Sequence, residues 1–317
     1  CVTPPRDLSL TNPSGTKARR RSGLCHGERP TARSYRVRPF CRRPMSERLQ
    51  DLLEERAAED LGDGPADDII EAVEEMVAHP EYPCLGARSV FRRDAATLVV
   101  LDDLSDTSDG GSLDLLAAAL ARYADEVDVE GDLVSFVACF REPVPNDERE
   151  FENLLWGALQ HLHDQDDEPW ADGVAADPDS PHFAFSLSGT AFFVVGLHPN
   201  SSRVARRTPL PTLVFNLHEQ FERLRADGRF ERMRDTIRRR DTDLQGSLNP
   251  MVSDHGKESE ARQYAGRAVP DRWSAPFHAT DATDTPHADG PADAAGPAEA
   301  SATTATTDTA DATETPQ

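Results

Sequence analysis

Lysine is nearly absent from this 317-residue chain: Lys17 and Lys257 are its two lysines, and the other 32 of its 34 basic residues are arginine. Set against 57 acidic residues this leaves a net charge of −23, so no broad basic face is available and a nucleic-acid partner is not expected. Long apolar runs are missing as well. Leu115–Ala121 and Ala191–Leu197 are the longest at seven residues each, well short of the roughly 20 that cross a bilayer, which excludes a transmembrane helix. Cysteine is scarce, and three of the five precede Met45. Cys84 and Cys139 alone cannot build a disulfide scaffold and suit a reducing compartment, so a cytoplasmic protein is expected. There is no C-x-x-C, H-E-x-x-H, G-x-S-x-G or G-x-x-x-x-G-K-[ST] pattern, which leaves zinc hydrolase, serine hydrolase and P-loop chemistry without a basis.

The charge that is present is unevenly spread. Residues 1–44 carry 11 basic and 2 acidic side chains and no hydrophobic periodicity, and read as an extension outside the fold, either upstream of a true start at Met45 or a targeting peptide. Residues 279–317 carry eight acids, no base and no Val, Leu, Ile, Phe, Tyr or Trp, so a disordered acidic tail is expected there. Between them, 45–278 reads as one globular domain. Its acidic coat would keep it soluble at high ionic strength, where the Debye length falls to about 3 Å in 1 M salt.

Hydrophobic periodicity places two amphipathic helices between Ser46 and Ala78, a buried strand at Thr97–Leu101, a helix from about Leu113 to Tyr123 and a strand at Leu133–Phe140. A helix is expected from Asn146 to about His163, followed by paired strands Phe183–Ser186 and Thr190–Leu197 across Leu187-Ser188-Gly189. After Pro209 and Pro211, the spacing of Leu213, Leu217, Phe221 and Leu224 predicts a helix ending near Gly228, and Phe230, Met233 and Ile237 predict another. The class is α/β in the mixed α+β sense, a central sheet flanked by helices.

Arginine is concentrated late in the chain: 45–199 holds 8 basic and 36 acidic residues, 200–278 holds 15 and 11. Arg203, Arg206 and Arg207 follow the apolar strand and the loop Gly196-Leu197-His198-Pro199-Asn200-Ser201-Ser202. Guanidinium groups at a strand end can clamp a carboxylate or phosphate, or can pair with the acidic surface. His198, where the strand opens into that loop, is a ligand, a base or a packed core histidine. His218 borders an apolar helical stripe, as a haem ligand or a packed side chain. His161 and His163, two apart on a helix, point to different faces and make a poor metal pair. Cys84 follows a proline turn, either as a thiolate whose pKa a nearby Arg and a helix start lower, or as an inert buried thiol.

The segments Pro83-Cys84-Leu85-Gly86-Ala87, Gly196–Arg207, Leu213–Glu222, Arg238–Pro250 and Gln263-Tyr264-Ala265-Gly266-Arg267, with Trp273 and Phe277, resemble the YqcI/YcgG family. The likeness spans roughly 79–278. The resemblance implies a haem-dependent N-hydroxylase of guanidino or amino-acid-like small molecules, using haem b, O2 and electrons from a reductase or other external donor. It makes His198, then His218, then Cys84 the candidate axial ligands. Arg203, Arg206 and Arg207 would meet the haem propionates or a substrate carboxylate, and Glu219 and Glu222 are acidic candidates for a guanidinium. The alternative reading is a haem- or anion-binding protein without turnover.

Overall fold

In the computed structural model, residues 48–251 and 257–279 are described, and they fall within one compact unit. The expectation for 1–44, and that for 279–317 apart from Ala279, lie outside the described residues. Three helices come first: α1 (Leu49–Ala57), α2 (Ala66–Ala78) and α3 (Leu85–Arg92). Then follow β1 (Ala96–Asp103), α4 (Ser112–Glu126), β2 (Ser135–Glu142), α5 (Glu148–Asp164), β3 (Phe185–Leu187) and β4 (Thr190–Leu197). A 3-10 turn (Val204–Arg206) precedes β5 (Thr212–Leu217), α6 (His218–Ala226), α7 (Arg229–Gln245) and the short α8 (Ala261–Tyr264).

The five strands form one sheet in the order β1-β2-β5-β4-β3. β1 and β2 are parallel, joined through α4, and the other neighbours are antiparallel, so the sheet is mixed. The expected mixed α/β class is therefore the observed one. Side-chain alternation assigns the two faces. Phe136, Ala138 and Phe140 of β2 point into a large apolar core with Leu113, Leu116 and Leu120 of α4 and Phe151, Leu155 and Leu159 of α5. Val137 and Cys139 point the other way, against Ile69 and Val73 of α2. Helices thus cover both faces, which is why residues 135–140 are buried without interruption. α5 starts where its sequence says it should: the Asp147 carboxylate accepts from the backbone N–H groups of Arg149 and Glu150, both at 2.9 Å.

One predicted helix is a strand. Residues 212–217 form β5, the middle strand of the sheet, and α6 begins only at His218. Leu213, Leu217, Phe221 and Leu224 are spaced as a helix would space them, yet Leu213, Phe215 and Leu217 alternate as one face of a strand. β5 has β2 on one side and β4 on the other, so both rows of its backbone groups are paired, and that tertiary pairing overrides the local spacing. α3 and α8 were not expected from periodicity, being too short to show it. The hairpin β3–β4 turns through Ser188 and Gly189, with φ of 50° and 67°, the left-handed pair that a two-residue turn demands.

Gly196 in β4 allows α5 to lie close to the sheet. A Cβ there would sit 2.6 Å from both Leu155 Cδ1 and Phe151 Cε1. Gly196→Ala is expected to cost about 1–3 kcal/mol through overpacking. Gly157, on the exposed side of α5 with nothing within 4 Å of a built Cβ, should gain up to about 1 kcal/mol on substitution by Ala. Urea unfolding of the two variants checks this, and a Gly196→Ala as stable as the parent would show that the sheet and α5 are not held this tightly.

Candidate functional site

β4 ends at Leu197, and the chain turns back on itself through residues 198–207 before entering β5. His198 opens that turn. Its backbone N–H donates to the Arg206 carbonyl at 3.0 Å, and its own carbonyl accepts from Ser201 N–H at 3.3 Å. The ring is 1% exposed and stacks on Phe151 with centroids 4.4 Å apart and planes 21° off parallel. Neither ring nitrogen has a hydrogen-bond partner. Burial pushes its pKa down to about 4, outweighing the nearby carboxylates of Glu148 and Asp147, which pull it up, while the Arg206 cation pushes it down further. His198 is therefore neutral at pH 7, with both nitrogens unclaimed.

The arginines after it are tied into the protein itself. Arg206 is half-buried, and its guanidinium donates to three backbone carbonyls: Gly196 at 3.0 Å, Tyr264 at 3.3 Å and Gln263 at 2.9 Å. Burial lowers its pKa, against the pull of Tyr82, Cys84 and Asp241. Arg203 forms a buried ion pair with Asp241 of α7 and donates to the Ser247 carbonyl at 3.0 Å. Arg207 Nε donates to the Ser201 carbonyl at 2.7 Å. Gln245 completes the stitching, accepting from Val204 N–H at 2.8 Å and donating to the Ser202 carbonyl at 3.2 Å. Gly266, with φ of 79°, brings its backbone so close that a Cβ would lie 3.3 Å from Arg206 Cγ.

Cys84 caps α3, its Sγ accepting from Ala87 N–H at 3.5 Å. Burial raises the thiol pKa, although the backbone N–H groups of Ala87 and Gly86 and the Arg206 charge all pull it down. Of the two readings of Cys84, this favours the inert thiol over the activated thiolate. The Arg and the helix start are both present, but desolvation of the thiolate exceeds them.

Cys84, His198, Arg203, Arg206 and Arg207 thus gather at one end of the sheet, and His218 is at the other. In the β4–β5 ladder Leu197 faces Thr212 and Phe192 faces Leu217, so His198 and His218 leave their strands at opposite ends, separated by roughly 17 Å of strand rise. They are not interchangeable ligands of one centre. His218 is the first residue of α6, not a mid-helix residue, and with His182, Asp172, Glu219 and Glu222 it lines a cleft of about 630 Å³. Its Nε2 is 3.6 Å from Glu222 Oε1. His161 pairs with Asp114 at 2.8 Å, whereas the His163 ring packs against Trp170 and Phe277.

Four residues of the His198 end were not singled out as site candidates from sequence: Phe151, which holds the ring plane; Glu148, which accepts from Ser202 N–H at 2.9 Å and Oγ at 2.6 Å; Tyr82; and Asp241. Asp241 and Gln245 stand inside the quoted run 238–250, and that was the available signal. Glu148 and Phe151 sit in a distant helix, and nothing local marks them.

A haem iron asks the protein for one uncharged, unclaimed nitrogen in a dry environment, and His198 fits that requirement. Burial disfavours the thiolate form of Cys84. Arg203 and Arg206 have donors engaged by Asp241 and by backbone carbonyls, which is a structural role. Among the described residues no group of three or more His, Cys, Asp or Glu could hold a metal ion by itself, and no helix is long and apolar enough to cross a membrane.

Residues 73–278 match the YqcI/YcgG family, and the chain belongs to it. It is 26% identical over 192 residues to "Uncharacterized protein YcgG" of Bacillus subtilis (strain 168), covering 58% of this chain and 75% of that protein. It is 26% identical over 193 residues to "Uncharacterized protein YqcI" of the same organism, with the same coverage. A third relative, 27% identical over 187 residues, is the "Putative N(omega)-hydroxy-L-arginine synthase DcsA" of Streptomyces lavendulae, covering 56% of this chain and 68% of that protein. No solved structure matches the chain.

The neutral His198 makes stability depend on pH with a definite sign. As pH falls below about 6.5 the unfolded chain binds a proton that the folded ring refuses until about 4, so stability present above 6.5 is lost across that window. Between pH 7.5 and 5.0, the parent should lose about 2 kcal/mol more than His198→Phe in urea unfolding. Equal losses would mean that the ring is solvated and protonates freely.

Proposed function

We propose that this chain is an N-hydroxylating oxidoreductase that acts on a guanidino compound of the arginine type and carries haem b on His198. The observation that carries the reading is the His198 imidazole: buried, neutral, and without a partner on either nitrogen. The name of the Streptomyces relative supports the reaction class and the substrate class.

The bound haem would supply O2 activation once electrons arrive from an external donor. What the chain's own residues contribute is positioning. Phe151 fixes the plane of the imidazole by stacking. Arg206 fixes the backbone before and after it, because its side chain holds Gly196 and its carbonyl accepts from His198 N–H. The Arg203–Asp241 pair anchors the loop to α7. The carboxylates of Asp147 and Glu148 lie within electrostatic reach of the ring. Glu148 uses Oε1 to accept from Ser202, which leaves Oε2 for a substrate guanidinium. Asp147 is occupied in capping α5, so Glu148 is the substrate carboxylate in this reading.

The test is to express the full chain with haem supplied, record its absorption spectrum, and analyse by mass spectrometry the products of L-arginine with O2 and reductant. The parent should show a Soret band and an N-hydroxylated product. His198→Ala should lose or shift the band, His218→Ala should leave it in place, and Glu148→Gln should keep the band while weakening L-arginine binding about tenfold or more. A folded, colourless parent, or a Soret band unchanged in His198→Ala, would remove the assignment.

A further inference from the structure

The two outer strands of the sheet differ sharply. β3 is three residues long, whereas β1 runs for eight, Ala96–Asp103, and ends the strand order on the other side. Because Ser135 N–H donates to the Ala95 carbonyl at 3.4 Å, the backbone groups of Thr97, Val99 and Leu101 face β2, and those of Ala96, Leu98, Val100 and Asp102 face outward. Among the described residues no hydrogen bond uses the outward N–H or C=O of those four.

Long outer strands normally carry a guard against pairing: a proline, a lysine, a bulge or simple shortness. Ala96-Thr97-Leu98-Val99-Val100-Leu101-Asp102-Asp103 has no proline and no base, and its register against β2 is unshifted from Ala96↔Ser135 to Asp103↔Glu142, which excludes a bulge. Its acids stand only at the last two positions. Leu98, with Ala96 and Val100, lies on the α2 face, and Val99 and Leu101 lie on the α4 face. Val100, in the middle of the strand between two buried residues, is itself only half-buried.

We propose that the free edge of β1 is a docking surface for a second copy of this chain, paired antiparallel about a two-fold axis at Val99 so that the two five-stranded sheets continue as one. That register uses every outward group. Leu98 faces Val100 of the second copy and Ala96 faces its Asp102, each as a doubly hydrogen-bonded pair, which gives about eight N–H···O bonds across the axis. The faces match as well. On the α2 face Leu98 meets Val100, and on the α4 face Val99 meets its own equivalent, so each apolar core continues into the same core of the second copy. A two-fold contact is self-complementary and closes after two chains, which leaves the short β3 as the outer strand at both ends.

Charge sets the direction of pairing. Antiparallel pairing sends the two acid ends of β1 apart: the Asp102 residues of the two copies are separated by roughly 20 Å of strand, more than twice the Debye length of about 8 Å at physiological salt. A parallel copy in register would set Asp102 beside Asp102 and Asp103 beside Asp103, at about 4.8 Å between strands, where like charges destabilise. The chain as a whole carries −23, so two copies repel at long range, and the contact is held by backbone pairing and apolar surface. Salt screens the repulsion and spares the contact, so association tightens as salt rises, the opposite of a charge-driven interface. The pairing is independent of what His198 binds.

The test is the mass of the full chain in solution, by sedimentation equilibrium across a range of concentrations at low and at high salt. The parent should populate a species of twice the chain mass, and more of it in high salt. In Val100→Pro the lost N–H is an outward one, so the β1–β2 ladder stays whole, and the dissociation constant should rise tenfold or more. Ala96→Glu sets a carboxylate opposite Asp102 of the second copy and should weaken pairing in the same direction, whereas Ala226→Glu, exposed at the end of α6 and equal in charge, should pair like the parent. On the parent itself, deuterium exchange of the outward amides of Leu98, Val100 and Asp102 should slow as concentration rises. A parent that stays monomeric in high salt, a dimer whose β1 variants pair as tightly as it does, or a dimer whose outward amides exchange at one rate at every concentration would overturn the proposal.

Discussion

The guanidinium of Arg206 is the tie on which the candidate site depends. Its hydrogens reach the carbonyl of Gly196 in β4 and those of Gln263 and Tyr264 at α8, segments more than sixty residues apart in sequence. A guanidinium suits this task because its planar fork offers five donors in fixed directions. Its desolvation is costly, and the carbonyl dipoles it collects, together with the Asp241 carboxylate, offset that cost. Around this tie Arg203 and Gln245 fasten the same loop to α7, so the turn that carries His198 is held from two directions. An imidazole with no hydrogen-bond partner can then remain in one orientation, fixed by the backbone and by stacking on Phe151.

The sheet separates two chemical environments by its own length. At the end where β4 terminates, the interior is closed and contains a neutral imidazole, a thiol and structural arginines. At the end where β5 terminates, His218 lies in an open cleft with Asp172, Glu219 and Glu222. The range that matches the family includes both ends, and antiparallel pairing of β4 with β5 sends His198 and His218 apart. Membership in the YqcI/YcgG family and the weak likeness to a protein named for arginine N-hydroxylation give the closed end its proposed chemistry.

Much of the fold was legible in local pattern. The β1–α4–β2 crossover, the β3–β4 hairpin and α5 each follow from apolar periodicity and turn residues, because each buries one face against a neighbour close in sequence. β5 was not legible as a strand. Its leucines fit a helical spacing, and what makes it a strand is a pair of partners at 135–139 and 192–197. The candidate site divides the same way. His198 and its arginines stand together in sequence and remain together in space, whereas Glu148 and Phe151 come from α5 and carry no local mark of their role, and Asp241 is marked only by its place in the run 238–250.

The sequence by itself determined the composition-level facts: an acidic, lysine-poor chain without a membrane-spanning helix, a mixed α/β pattern, and a short list of titratable residues for the chemistry. These depend on residue type and on spacing within one element, which a linear chain displays openly. Only the tertiary structure decided which members of that list share a site, that burial leaves Cys84 a thiol and His198 neutral, and that the arginines serve the backbone. Each of these is a matter of desolvation and of distance between segments remote in sequence, and neither exists until the sheet has closed around them.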